Sequence, residues 1–106
     1  MSRQLDLQLY LALHGYPLKD IPEERLDDYM REPHYSTDAE AMLELDMEMR
    51  KRGWSIQITY ILPENKYEAS YEGDYRDVVA VADTMQLAVS LAAYKALTGR
   101  EWVEHD

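Results

Sequence analysis

The three histidines are the first residues to weigh for chemistry, and His14, His34 and His105 stand apart from one another in the sequence. A general base or activated nucleophile needs a positioned partner. His14 falls near the end of a helical run, where the helix dipole favours a cation, and this explains it without catalysis. His34, followed by Tyr35, Ser36 and Asp38, is the nearest approach to a site. A serine just ahead of a helical run is, however, better suited to capping than to attack, and no G-x-S-x-G elbow surrounds it. Glu40, Glu44 and Glu48 lie one helical turn apart and form an acidic ridge. A divalent cation would need more ligands, held by a loop, and the EF-hand pattern is absent. The ridge reads as a solvated face, with Glu48 spaced to pair with Arg52. Asp27-Asp28 is a weaker signal still. Without cysteine there is no thiolate zinc site, cysteine nucleophile or disulfide framework. The residue types therefore predict no catalytic residue, no cofactor and no metal.

What they offer instead is contact. Nine tyrosines stand beside no phenylalanine at all. Tyr60, Tyr67, Tyr71 and Tyr94 fit phenylalanine's packing role with the hydroxyl left at the rim. Tyrosine is also enriched at interfaces. On that reading Tyr10, Tyr16, Tyr29 and Tyr35, which cluster around an irregular segment, are the first candidates, joined by Glu68 and Glu72 on a wet strand face. The net charge of -10 repels nucleic acid, and Arg50-Lys51-Arg52 is the sole cationic cluster. Such acidity serves solubility, or complements a partner with a basic surface. No apolar run approaches the roughly 20 residues that span a bilayer, and no signal-peptide pattern opens the chain. The expectation is a cytoplasmic protein that binds neither nucleic acid nor membrane.

The elements that would position these residues are organised around Tyr35–Tyr60. Thr37 and Glu40 have capping-box spacing, with Ser36 an alternative cap. Asp38 and Glu40 suit the start of a helix and Arg50, Lys51 and Arg52 its end. Ala39, Met42 and Met49, with Leu43 and Met47, give an apolar stripe, and Gly53 closes the helix. The period then changes to two: Trp54, Ile56, Ile58, Tyr60 and Leu62 alternate with Ser55, Gln57, Thr59 and Ile61, which predicts a strand with one buried face.

Ahead of this unit, Leu5, Leu9, Ala12 and Leu13 share a helical face that Leu7 and Leu11 widen, and Gly15 with Pro17 stops the helix. Residues 17–35 hold three of the four prolines and read as an irregular segment, with a short helix opening at Pro22 and ending before Pro33. After it, Pro63-Glu64-Asn65-Lys66 turns into a second strand around Tyr67, Ala69 and Tyr71. Gly73-Asp74 turns into a third, Arg76 to Ala82, and short turns imply antiparallel pairing. Asp83, with Gln86 as its capping partner, opens a last helix so broadly apolar that it must be buried on more than one side. Gly99 ends it, and 100–106 is a tail anchored by Trp102. The fold class is α+β, one domain: an N-terminal helix (1–16), an irregular segment (17–35), an αβββα core (36–99) in two layers or a sandwich, and the tail.

Tyr35-Ser36-Thr37-Asp38, Gly53-Trp54, Ala82-Asp83-Thr84, and Leu87-Ala88 with Leu91-Ala92-Ala93, Ala96 and Leu97 resemble the phage ABA sandwich domain, a family of small phage and prophage proteins. The resemblance covers Tyr35 to Gly99. It implies an α/β sandwich and a phage or prophage origin, and carries no catalytic or binding residue with it. The element order is also that of double-stranded RNA-binding domains, which hold phosphates with lysines at the start of the final helix. Here that position reads Asp83-Thr84-Met85-Gln86, so the likeness extends to topology and stops short of function. The expected role is that of an accessory protein acting through protein contacts in a bacterial host, as a homo-oligomer or with a host protein. The alternative is an acidic inhibitor that mimics nucleic acid and occupies a basic groove.

Overall fold

The computed structural model of the protein describes residues 2–15 and 34–102. Its elements run α1 (Ser2–Leu13), α2 (Ala39–Lys51), β1 (Ser55–Ile61), β2 (Lys66–Glu72), β3 (Asp77–Ala82) and α3 (Met85–Thr98). The strands form one antiparallel sheet in the order β1-β2-β3. The expected α+β architecture is the one observed. The short helix expected around Pro22, Asp27-Asp28, and the tail beyond Trp102 with His105 lie outside the described residues.

Local chemistry sets each boundary. Asp38, rather than Ser36 or Thr37, caps α2: its carboxylate accepts from the Glu40 N–H at 3.0 Å. Thr84, rather than Asp83, caps α3, its hydroxyl accepting from the Leu87 N–H at 3.2 Å. In both cases the cap is the residue with extended backbone whose side chain can turn back over the first turn. Gly99 ends α3 in the left-handed conformation at φ 75°, where a side chain would be strained. Two arginines close other helix ends from a distance. Arg52 donates to the carbonyl of Leu13 at the end of α1, and Arg76 donates to the carbonyl of Ala96 near the end of α3. A cation at these termini also complements the helix dipole.

The broadly apolar last helix is central, as its composition requires. α3 covers the inner face of β2 and β3, and α1 and α2 pack on α3. Among the described residues the sheet's other face carries no helix. In α1 burial extends right around the helix: Leu5, Leu7, Leu9, Leu11 and Leu13 are all buried, together with Asp6 and Gln8. That is why both a helical and an alternating pattern fit its sequence. Leu5, Leu9 and Leu13 join the main core with Leu45, Met49, Ala69, Tyr71, Val89 and the alanines of α3.

Two expectations need correcting. The buried stripe of α2 is Ala41, Met42, Leu45, Asp46 and Met49, whereas Ala39, Leu43 and Met47 are exposed. Strand β1, expected to bury one face, leaves much of that face open: Ile58 is 39% exposed and Tyr60 48%. The cause is the helical layer's coverage. α3 lies over β2 and β3, while α2 barely touches β1.

Candidate functional site

Of the residues proposed for contact, Tyr10 is half-buried and its ring lies 4.3 Å from that of His14. Tyr35 is buried in the core, and burial, with Glu44 next in weight, pushes its hydroxyl up to about 12. Its ring is packing material, with little left to offer a partner. Glu68 is half-buried and Glu72 exposed on the outer face of β2. Tyr16 and Tyr29 lie outside the described residues. Among the described candidates, Tyr10 and Tyr35 lie close enough to interact electrostatically, and Glu68 and Glu72 share the outer face of β2.

The His34 region contains a polar cluster that the sequence conceals, because its key member comes from α1. The buried Asp6 accepts through Oδ1 from the Ser36 N–H at 2.9 Å, and Oδ2 lies 3.9 Å from His34 Nδ1. Burial raises the pKa of the Asp6 carboxyl, against the opposing pull of Ser36 and His34. Asp, His and Ser side by side invite comparison with a hydrolase. Ser36, however, is as buried as the core, and a nucleophile must meet its substrate. The cluster fastens α1 to the turn before α2. A second buried carboxylate, Asp46, accepts from the Tyr71 hydroxyl at 3.1 Å and pairs with Arg50 at 2.8 Å. This too joins elements, α2 to β2. Among the described residues no group of histidines and carboxylates could hold a metal ion, and no helix is long and apolar enough to cross a membrane.

One cleft, of about 380 Å³, opens at the β3 edge between Val79, Val81, Leu91, Lys95, Glu101 and Trp102. Lys95 and Glu101 pair there at 3.1 Å, and Trp102 packs edge-on against Tyr94, 5.2 Å between ring centres. Trp102 thus rests against α3 through Tyr94. The cleft walls hold no acid–base pair free to act.

The more conspicuous surface lies on the opposite side, at β1. Leu62, Ile58 and Tyr60 on and after β1 are 70%, 39% and 48% exposed, and Leu43 and Met47 on α2 are 58% and 60% exposed. Leu43 and Met47 fall on the flank of α2 beyond Asp46, away from the core stripe. Asp46 is held by Tyr71, whose register partner on β1 is Ile56. Side chains of Ile56, Ile58 and Tyr60 share the inner sheet face with Tyr71, Ala69 and Tyr67, their cross-strand partners. Tyr60 is steadied by a ring contact of 5.0 Å with Tyr67 and by donating to Asn65 Oδ1 at 2.6 Å. A clue was present in the sequence: α2 has more apolar residues than one stripe can hold.

The whole arrangement has a counterpart among solved structures, a phage protein from Bacillus cereus ATCC 14579 known from its crystal structure. The TM-score is 0.72 over 97% of this chain and 92% of that one, at 18% identity. The likeness is one of fold. No family model matches the chain, and no curated protein matches it in sequence.

Proposed function

We propose that this chain is a non-catalytic accessory protein of a phage or prophage, acting through protein–protein contacts inside a bacterial host. The observation that carries this reading is the exposed apolar side of β1, Ile58 and Tyr60 with Leu62 after the strand, in a chain of net charge -10. Exposed apolar surface of this kind marks interaction sites. The fold shared with a Bacillus cereus phage protein supports the assignment to phage. The test is affinity capture from phage-bearing cells with the wild-type chain and with Ile58→Lys. A protein retained by the first and lost from the second, at low and high salt alike, is the expected result. Capture indifferent to the substitution would refute the role of this surface.

A second reading rests on the net charge of -10 and on the exposed Glu40 and Glu44 of α2, with half-buried Glu48 completing the ridge. These could occupy a basic groove in a host protein that normally holds nucleic acid. Salt would then abolish capture, since such contacts are screened.

A further inference from the structure

Among the described residues β1 is an edge strand of the sheet. The hairpin between β2 and β3 is closed by the Gly73 N–H donating to the Arg76 carbonyl at 3.0 Å. In an antiparallel ladder, hydrogen-bonded and non-bonded pairs alternate. Counting from Gly73–Arg76 through the unbroken registers, Tyr67, Ala69 and Tyr71 bond across to β3, and Lys66, Glu68, Ser70 and Glu72 bond across to β1. The N–H and C=O groups of Ile56, Ile58 and Tyr60 are therefore the ones pointing out of the sheet. Their side chains are those on the half-covered inner face.

We propose that a second copy of this chain docks here, β1 against β1 about a two-fold axis through Ile58, making one continuous six-stranded sheet. This deepens the protein-contact reading and rests on it. In that register Ile58 faces Ile58 of the other copy and Ile56 faces Tyr60, so every outward main-chain group of the three residues finds a partner. A register one residue off would oppose inward-pointing groups and leave them unbonded. On the other face Gln57 meets Thr59 and Ser55 meets Ile61, with no charge anywhere along the strand. That matters in a chain of net charge -10, because a charged edge would set like against like. An uncharged strand without bulge or proline is also an edge that soluble monomers normally avoid. β3, by contrast, carries Asp77 among its outward-pointing residues. A seven-residue strand is roughly 24 Å long, and main-chain pairing alone falls short of the roughly 800 Å² per partner of a standard interface. The inner-face side chains of Ile58 and Tyr60 and the exposed Leu62 after the strand add apolar area to it.

The absence of cysteine permits a clean test. Residues facing each other as a hydrogen-bonded antiparallel pair have Cα atoms about 5.5 Å apart, within disulfide range. Ile58→Cys should cross-link into a dimer under mild oxidation, and Val79→Cys on the β3 edge should not. Sedimentation equilibrium of the wild type should give twice the chain mass, and Ile58→Glu, folded by circular dichroism, should give the single mass. A monomeric wild type at hundred-micromolar concentration would overturn the proposal, as would equal cross-linking at positions 58 and 79. If the wild type is monomeric yet its capture of a host protein still depends on Ile58, the dimer falls and the protein-contact reading stands.

Discussion

Asp6 and Tyr71 show how single buried polar groups fix the arrangement of whole elements. Asp6→Ala would strand the Ser36 N–H in the interior, a loss of about 1–3 kcal/mol in unfolding free energy by denaturant titration. Asp6→Asn keeps an oxygen for that N–H and removes the buried charge. The folded state holds the Asp6 proton more tightly than the unfolded chain, whose ordinary value is 3.8. Its contribution therefore favours the fold at low pH and is lost as pH rises through the elevated value. The asparagine variant should lack that component of the stability–pH profile above 3.8. Tyr71 works at the other end of the scale. Burial foremost, and then the Asp46 carboxylate, raise its pKa well above the usual 10.0. Its stabilising share is intact below that pH and lost as the unfolded chain's phenol ionises above it. Tyr71→Phe should cost about 1 kcal/mol at neutral pH and lessen the alkaline loss of stability, as followed by ultraviolet titration.

At the scale of elements, Gly73 is a tight constraint. A Cβ there would stand 2.8 Å from Cζ3 of Trp54, whose ring also lies under the Arg76 guanidinium at 5.9 Å. Gly73→Ala should cost about 1–3 kcal/mol by overpacking, and Trp54→Leu in the same chain should recover part of it, a coupling that a double-mutant cycle reads directly. Such local rules made the element order legible in the sequence: caps, closing glycines and the change of period at Gly53 each act within a few residues. Where the cap fell one residue off, at Asp38 and at Thr84, neighbouring side chains had similar capping chemistry and backbone conformation decided. What periodicity does not encode is coverage. Ile58 and Tyr60 alternate as a buried face would, yet among the described residues no helix extends far enough over β1 to bury them. Leu43 and Met47 share a face of α2 with one another, but that face lies well round the helix from the buried stripe of Ala41, Met42, Leu45, Asp46 and Met49. The Asp6–Ser36 link, thirty positions apart, leaves no local trace at all. The exposed apolar residues were thus hidden among those that looked like core.

For the whole molecule the deciding quantity is charge. Two copies of a chain carrying -10 repel one another at long range, and the proposed β1 seam adds no charge to that repulsion. Salt screens that repulsion, over about 8 Å at physiological ionic strength, while leaving main-chain pairing and apolar burial in place. Self-association through β1 should therefore tighten as salt rises from roughly 0.05 to 0.5 M, read as a falling dissociation constant in sedimentation. An acidic ridge seated in a basic groove behaves in the opposite sense: attraction is what salt screens, and the complex weakens over the same range. The sign of the salt dependence consequently assigns each complex to its surface, apolar edge or acidic ridge, before any partner is identified. Ile58→Glu sharpens the distinction. It adds a carboxylate at the two-fold axis, where it abolishes the dimer, and lies away from Glu40, Glu44 and Glu48, where a groove-binding complex should survive unchanged.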